Sequence, residues 1–511
     1  MPRNSCVDIP LSILLVCAVM AAYANVYANA FLYDDNILIV HNQFLRNWDY
    51  LRDLFRTSLF AGNPDASAYY RPLQALLYLL VFQTAGLSQV AFHLLNVVLH
   101  AANACMVYKL GRKLDFKPVV VFLAALLWAL HPVQTEAVTY MSATADSLYA
   151  FFCLWGAIVL LPDFTPRRML AAALLMIFGL LSKESAISFP LLAMSCFYLM
   201  SDKRFDLKSY FRFWPLLVIA GTYVFLHFAF LPHGLAAPKV AGAVDKFGSL
   251  ATLPRYLGFL LLPRHLHMEY DLPVYSDIWH ADSLAGIGLA VMATIQILRE
   301  RPGHSLPFSW GLCWFAAALL PSFLVNAFYY EHWLYLPSAG LFLGTAQSAA
   351  LFMERHGTLK RGSVALMLLL AFGAGLLTYR QNRIWRDPVV FYTHIFAQGE
   401  TAARAHVNLG VVYLERGEYE KAAAQERIAI TNSNDTLATA QNNLAVALSL
   451  MPERDRRSDE IQTHLLRAVE INPDFYPALD ALALFYDRQG DAAKAEIYRE
   501  RVEGVRRKLR F

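Results

Sequence analysis

The stretch Ile9–Phe31, IPLSILLVCAVMAAYANVYANAF, decides how this chain folds because it is long enough to cross a bilayer as a helix. The tetrapeptide Tyr33-Asp34-Asp35-Asn36 follows it almost at once, and a long polar loop comes next. Ionisable side chains at the edge of a span are costly, and such residues usually have a function. The two adjacent acids therefore indicate a candidate site at the mouth of the first span.

The composition excludes an ordinary soluble domain. Only 16% of the 511 residues are charged and 57% are hydrophobic, whereas a soluble domain has about 25% charged residues. The net charge of +4 is small and gives no sign of nucleic-acid binding. Six cysteines occur without metal-ligand spacing, so neither a zinc site nor a disulfide framework is indicated.

Apolar runs of spanning or nearly spanning length recur along the first three quarters of the chain. They cover residues 9–31, 91–110, 118–131, 143–161, 169–182, 186–200, 210–231, 282–298, 306–325, 334–353 and 362–379. These runs predict an all-α, polytopic membrane domain of about eleven spans over residues 1–380, with a first outer loop at 32–90. A shorter apolar stretch at 256–263 lies between two prolines, and we interpret it as re-entrant or interfacial.

Lysine and arginine concentrate in alternate loops, which sets the expected orientation. The cytoplasmic set contains Arg3, Arg112, Lys113, Lys117, Arg167, Arg168, Lys203, Arg204, Lys208, Arg299, Arg301, Arg355, Lys360 and Arg361. We therefore expect a cytoplasmic N-terminus, with the first loop and the C-terminal region outside. A bacterial inner membrane with a periplasmic tail is favoured; the same orientation in a eukaryote would place the tail in the lumen.

The composition changes after residue 380 to a charged, alanine-rich and repetitive region. Three segments share one spacing: Asn408-Leu409-Gly410-x-x-Tyr413, Asn443-Leu444-Ala445-x-x-Leu448 and Ala481-Leu482-Ala483-x-x-Tyr486. The period is close to that of tetratricopeptide repeats, in which small residues allow paired helices to pack closely. We predict a connector at 381–401 and three such repeats at 402–507, which either bind an acceptor in their groove or act only as a scaffold.

Polar side chains gather at the predicted outer ends of the spans. Asp34 is our first candidate for a general base and Asp35 the second. The candidates for holding a phosphate and its sugar are Arg71, His93, Lys183, Glu184, His332 and Tyr335; further candidate acids are Glu136, Asp146, Glu269 and Asp271. Less specific roles stay open: His93 as an interhelical hydrogen-bond partner, Lys183–Glu184 as an ion pair, and Arg71 as a lipid anchor.

Taken together, these residues resemble a known family over almost the whole chain. The similarity rests on Tyr33-Asp34-Asp35, Tyr70-Arg71-Pro72-Leu73, His93-x-x-Asn96-x-x-x-His100, His131-Pro132-x-x-Thr135-Glu136-Ala137-Val138, Ser182-Lys183-Glu184 and Leu334-Tyr335-Leu336-Pro337-Ser338. This ordered set is similar to the transmembrane-and-TPR O-mannosyltransferases and their bacterial relatives, which are GT-C glycosyltransferases. The resemblance implies a polyprenyl-phosphate sugar donor, an acid of the first outer loop as catalytic or acceptor-binding group, and inversion at the anomeric carbon.

Two positions depart from the eukaryotic pattern of that family. Thr144 stands where the pattern has an arginine before Ala145-Asp146, and His332 follows Glu331 where the pattern has a second arginine. Both departures fall near the expected donor site, so the sequence leaves open which sugar is used. A divalent cation, Mg²⁺ or Mn²⁺, bridging carboxylates and phosphate is also left open.

The functional hypothesis is an integral-membrane glycosyltransferase that moves a sugar from polyprenyl phosphate to an acceptor hydroxyl at the outer face. A protein Ser or Thr is the favoured acceptor, with a lipid headgroup or another glycan as the alternatives, and the other partners are membrane lipids. Three alternatives belong to other classes: a non-enzymatic envelope assembly or scaffold protein, a transporter or flippase, and an O-antigen-ligase-like glycan transferase. Dispensable first-loop acids would favour the scaffold.

Overall fold

The computed structural model describes residues 5–60, 69–161, 163–201, 206–230, 248–270, 279–299, 306–325, 329–356, 361–399, 402–452 and 457–509. All regular elements among these residues are helices, so the all-α prediction is confirmed. The chain divides into two compact units, and the boundary along the chain falls between Arg386 and Asp387. Glu269 and Tyr270 group with the second unit. The predicted connector at 381–401 therefore contributes residues to both units.

The described residues of the first unit form sixteen α-helices. They are α1 Ser5–Ala22, α2 Leu51–Leu54, α3 Pro72–Ala85, α4 Gln89–Lys113, α5 Pro118–Ala129, α6 Thr135–Thr139, α7 Thr144–Leu160, α8 Pro166–Ser182, α9 Phe189–Met200, α10 Leu207–Tyr210, α11 Trp214–Phe230, α12 Gly248–Leu261, α13 Ala281–Arg299, α14 Leu306–Val325, α15 Tyr335–Arg355 and α16 Arg361–Gln381. Short 3-10 turns occupy Val26–Ala28, Gln43–Leu45, Trp48–Tyr50, Pro132–Gln134, Met141–Ala143, Glu184–Ser188, Phe211–Phe213, Glu331–Leu334 and Asn382–Arg386, and Asn36–Val40 is a π-helical turn.

Local sequence explains where several of these helices begin and end. Proline opens α3, α5 and α8, where its missing N–H costs nothing and its fixed φ suits the first turn. Ser88 caps α4 because its hydroxyl oxygen accepts the backbone N–H of Ala91 over 3.4 Å. Gly86 ends α3 with φ +62°, a conformation that glycine adopts without a steric penalty.

Large aromatic side chains and close helix contacts make up the core of this unit. Trp128, Trp310 and Trp314 are fully buried, and α4 packs against α1, α5 and α7. Helices α14 and α15 approach so closely that a Cβ atom on Gly344 would lie 2.2 Å from the carbonyl oxygen of Pro307. Small residues at such positions are typical of helix contacts in membrane proteins.

Seven helical stretches among the described residues are long and apolar enough to cross a membrane, or eight if a bent pair counts as one span. The bent pair is Pro118–Ala129 with Pro132–Thr139, which meet at 54°. Large apolar side chains on several of these helices are exposed, as expected for lipid-facing surfaces; examples are Ile13, Leu217, Met292, Leu369 and Phe372. The protein is therefore an integral membrane protein.

Where the structure describes them, the eleven apolar runs are mostly helical, but three lie outside the eight stretches that pass this test when the bent pair is counted. The runs at 169–182, 186–200 and 306–325 correspond to α8, α9 and α14. Two further differences concern the loops. Residues 72–85, which we placed in the first outer loop, form α3, and Pro254, which we expected to bound a short stretch, lies inside α12.

The second unit is also helical. Its elements are α17 Pro388–Ala397, α18 Ala403–Glu415, α19 Tyr419–Asn432, α20 Ala438–Leu450, α21 Ser458–Ile471, α22 Tyr476–Gln489 and α23 Ala492–Leu509. Helix α18 packs on α19, α20 on α21, and α22 on α23, which gives three successive helix pairs. Gly417 and Gly490, which follow the first and third copies of the motif, both have positive φ. The repeat assignment stays a prediction that these pairs support.

Candidate active site

The two adjacent acids lie on an unusual piece of backbone. Tyr33 has φ +54°, a left-handed conformation that costs a bulky residue on the order of 1–3 kcal/mol. Asp34 and Asp35 follow, and Asn36–Val40 then form a π-helical turn. Strained φ values and π-turns both gather at functional sites, where the surrounding structure holds them in place. The backbone therefore marks this turn as a candidate active site.

Asp35 anchors the turn. Its carboxylate accepts the backbone N–H of Leu32 over 2.9 Å and the backbone N–H of Ser142 over 2.7 Å, and the Ser142 hydroxyl donates to it as well. The side chain is 1% exposed. Burial raises the pKa of Asp35 to about 7, although these hydrogen bonds and the Ser142 hydroxyl oppose the shift. Asp35 thus joins the first loop to the segment before α7.

Asp34 differs from its neighbour in its surroundings. Its backbone N–H donates to the phenolic oxygen of Tyr140 over 3.0 Å, and the residue is only half-buried. The Tyr140 ring meets the Tyr33 ring edge-on, with 6.4 Å between their centroids. A general base must reach a substrate proton. Of the two acids, Asp34 has the more accessible position for that role.

The segment 140–146 connects the acids to the charged residues of the site. The carbonyl of Tyr140 accepts the side-chain N–H of Asn96 over 3.0 Å, and Thr144 donates to the Asn96 amide oxygen over 2.6 Å. The Tyr78 hydroxyl donates to the carbonyl of Met141 over 2.7 Å. These buried bonds fix the backbone that bears Ser142 at one end and Asp146 at the other.

Lys183 forms a buried ion pair with Asp146. Its ammonium nitrogen lies 2.7 Å from Oδ1 and 2.8 Å from Oδ2, and both side chains are buried. Next to it, Arg71 makes a two-pronged pair with Glu184: Nε donates over 3.1 Å and Nη2 over 2.6 Å. Lys183 and Glu184 therefore do not pair with each other, as one alternative predicted, but with Asp146 and Arg71, respectively. The four charges sum to zero.

His332, which is half-buried, pairs with the buried Glu136. Its backbone N–H donates to Oε2 of Glu136 over 2.9 Å, and its Nδ1 lies 2.8 Å from Oε1. Because a carboxylate oxygen accepts hydrogen bonds, Nδ1 is the donor in this contact. Glu136 is 1% exposed, and the Tyr330 ring stacks on His332 at 5.1 Å.

The remaining candidates lie elsewhere. His93 donates from Nε2 to the carbonyl of Asn29 over 3.3 Å, and Tyr335 contacts Nδ1 of His100 over 2.7 Å; both side chains are buried. Glu269 pairs with Arg404 over 2.9 Å within the second unit. Asp271 lies outside the described residues. Their predicted contacts with a donor stay predictions.

Four residues that contact the site region were not among the site residues predicted from the sequence. Tyr140 and Ser142 lie between two of the quoted motifs, and the density of polar residues there could have pointed to them. Asn382 and Trp385 follow the last span, where three arginines resemble a linker. Asn382 bonds to residues 22–29 and to Thr139, and Trp385 stacks on Tyr140, and these contacts depend on tertiary packing.

The described residues contain no group of three or more His, Cys, Asp or Glu side chains suited to a metal ion. Asp35 is occupied by three donors and Asp146 by Lys183. Among the described residues these two acids therefore already have protein donors and are not suited to bind a divalent cation.

Comparison with known proteins confirms the resemblance seen in the sequence, although no protein-family model matches the chain. The protein O-mannosyl-transferase F38B6.6 of Caenorhabditis elegans is 28% identical in an alignment of 443 positions that covers 81% of this chain and 60% of that protein. Tmtc1 of Drosophila melanogaster is 26% identical, covering 84% and 62%, and human TMTC4 is 26% identical, covering 80% and 63%. Both are also named protein O-mannosyl-transferases. This chain thus spans less than two thirds of their length.

Among solved structures, ArnT from Cupriavidus metallidurans bound to undecaprenyl phosphate aligns with 91% of this chain and 80% of its own. The sequence identity is 13% and the TM-score is 0.38.

Proposed function

We propose that this protein is an integral-membrane glycosyltransferase that moves a sugar from a polyprenyl-phosphate donor to an acceptor hydroxyl, with a protein Ser or Thr favoured. One observation carries the proposal. The half-buried Asp34 lies on a strained turn beside Tyr140, and the segment 140–146 joins that turn to the Lys183–Asp146 pair. Similarity to protein O-mannosyl-transferases supports the same reaction class.

In the proposed reaction the acceptor oxygen attacks the anomeric carbon while the bond from that carbon to the phosphate oxygen breaks. Asp34 takes the proton of the acceptor hydroxyl, and the electron pair of the broken bond stays on the phosphate. The acceptor attacks from the face opposite the leaving phosphate, so the anomeric centre inverts. Asp35 holds the turn through Leu32 and Ser142 and does not touch the acceptor.

The leaving phosphate needs donors for its growing charge. A guanidinium has five N–H donors and an ammonium three. Glu184 takes two from Arg71 and Asp146 takes two from Lys183, so both cations keep donors that can face a ligand. The two cations and the two carboxylates already neutralise one another, so a bound phosphate adds net negative charge. The phosphate therefore has to compete with Glu184 and Asp146 for part of their hydrogen bonding to the two cations.

The orientation is part of the proposal: a cytoplasmic N-terminus, with the first loop and the repeats outside. Alternate loops with many lysines and arginines support it. A bacterial inner membrane is favoured, and the repeats are proposed to recruit the acceptor. The alternative hypothesis is a non-enzymatic scaffold protein. Substitution of a single acid distinguishes the two hypotheses.

The test is glycan mass spectrometry of envelope proteins and lipids from cells with the gene, cells without it, and cells with Asp34→Asn. Asp49→Asn is the matched control, because Asp49 is an exposed acid of the same loop. We expect a sugar on Ser or Thr peptides with the wild type and with Asp49→Asn only. Identical glycans in all four strains would overturn the proposal. Complementation by Asp34→Asn of a non-glycan defect would favour the scaffold.

A further inference from the structure

The turn Asn382–Arg386, which directly follows α16, makes an unusual number of bonds to distant residues. Asn382 is fully buried. Its side-chain N–H groups donate to the carbonyl of Ala22 over 3.0 Å and to Oδ1 of Asn25 over 2.9 Å, and its own Oδ1 accepts the hydroxyl of Thr139 over 2.9 Å. Every polar atom of this side chain therefore has a partner outside its own helix.

The chain before the candidate acids is bonded to the same turn. Asn29 donates from its side chain to the carbonyl of Asn382 over 3.0 Å, and the backbone N–H of Ala30 donates to the carbonyl of Arg386 over 3.2 Å. One turn earlier, the side chain of Asn25 donates to the carbonyl of Tyr379 over 2.7 Å. Residues 25–30, which lead into Asp34, are thus held along their length.

The turn also reaches the other side of the acid. The Trp385 ring stacks on Tyr140 with 5.5 Å between centroids and 27° between planes. Tyr140 accepts the backbone N–H of Asp34 through its hydroxyl. Trp385 therefore contacts Asp34 only indirectly, through Tyr140, whose side chain is 5% exposed.

We propose that Asn382 and Trp385 are positioning residues for Asp34. Asn382 fixes the chain before the acid, and Trp385 fixes the tyrosine that holds its backbone. The left-handed Tyr33 gives the physical reason, since a strained residue keeps its conformation only when its surroundings over-determine it. The catalytic part of this inference rests on the proposed function, whereas the ordering of the first loop does not.

A simple packing role would predict something different. A buried asparagine that only satisfied local packing would bond to a single neighbouring segment, as Thr378 does with the carbonyl of Leu130 over 2.8 Å. Asn382 instead bonds to two separate segments: Ala22 and Asn25, which precede the first loop, and Thr139, which is next to Tyr140. Thr378 lies four residues earlier, in the last turns of α16, and is equally buried, so Thr378→Val is a matched control.

The experiment uses the full chain in lipid nanodiscs and measures hydrogen exchange of peptides covering residues 23–45. We expect Asn382→Leu to raise exchange there by at least about tenfold, because local opening becomes easier, and Thr378→Val to leave it as in the wild type. Trp385→Ala should also raise it, and Trp385→Phe should restore most of the protection because a ring is kept. If Asn382→Leu fails to insert, Thr139→Val removes one of the same hydrogen bonds.

Sugar transfer from a polyprenyl-phosphate donor provides the second readout. A misplaced base costs on the order of 10²-fold in rate, so we expect kcat to fall toward that value in Asn382→Leu while KM for the donor stays close to the wild type. Unchanged exchange at 23–45 in Asn382→Leu and Trp385→Ala would overturn the inference, as would a loosened loop with unchanged kcat. A wild type with no transfer activity would instead overturn the proposed function, and the exchange result would still decide whether the turn orders the loop.

Discussion

The ammonium group of Lys183 lies between the two carboxylate oxygens of Asp146, at 2.7 Å and 2.8 Å, in a buried position. From the sequence, Lys183 was predicted to be a cation in a short turn that could bind a phosphate. In the folded chain the same cation neutralises an acid of α7. Removal of one partner from a buried pair leaves an uncompensated charge, which typically costs about 3–5 kcal/mol. A loss of activity in a single variant therefore has two explanations.

A double substitution separates them. We expect Lys183→Met alone to lower both the unfolding temperature and sugar transfer. Lys183→Met with Asp146→Asn removes both charges, so stability should largely return. If Lys183 also binds the donor phosphate, transfer stays low in the double variant. Thermal unfolding in detergent and transfer assays on both proteins decide the matter, and recovery of both properties would make Lys183 purely structural.

The two adjacent acids should respond differently to the same change. Asp34→Asn removes the proposed base and should lower the rate on the order of 10²–10⁴-fold, while the first loop keeps its hydrogen-exchange protection. Asp35→Asn puts an amide N–H against the donors of Leu32 and Ser142 and should loosen that loop. Full transfer by both variants in a purified assay would rule out both acids as the base and direct attention to Glu136, Asp146 or Glu269.

A buried acid in the second unit predicts a pH dependence. Glu426 is fully buried, only Oε1 has a hydrogen-bond partner, Asn443, and burial raises the pKa of Glu426 to about 9. A raised carboxyl pKa means that the neutral form is favoured in the fold, so stability is highest below the ordinary pKa near 4.5 and falls as the pH rises towards 9. Glu426→Gln should flatten this trend. Hydrogen exchange of α18–α20 in the full chain, at several pH values, provides the measurement.

Close packing of the first helix pair can be tested at Gly410. A Cβ atom there would lie 2.3 Å from Oε1 of the buried Glu426. Gly410→Leu should therefore destabilise this pair by about 1–3 kcal/mol through overpacking. Gly504 in α23 has open space around it, so Gly504→Leu is the control and should be neutral or stabilising. Equal exchange of α18 and α19 in both variants would contradict the predicted repeat packing.

Orientation follows from the distribution of charged loops. A reporter that is active only in the periplasm should be active when fused after Phe511 and silent when fused at Lys117. The opposite result at Phe511 would mean that the number of crossings is even, for example because α12 spans the membrane. The fusion at Lys117 tests the first part of the orientation independently.

Much of the fold was predictable because span length and helical repeat spacing are local properties of a sequence. Where the structure describes them, the eleven apolar runs are mostly helical, and the three copies of the repeat motif begin in α18, α20 and α22. Helix α3 was missed because it is only 14 residues long and lies between polar segments. The position of Asp34 and Asp35 after the first span was also evident from the sequence alone.

The roles within the site depend on partners far apart in the chain. Lys183 and Asp146 are 37 residues apart, and Arg71 and Glu184 are 113 apart. Asp34 and Asp35 have the same side chain and adjacent numbers, yet Asp35 is buried against Ser142 while Asp34 stays half-buried. Local hydrophobicity was enough to predict that helices cross a membrane and that acids follow the first of them. Which charge meets which could not be predicted in this way, because pairing energies depend on distance and burial, and both arise when distant helices pack.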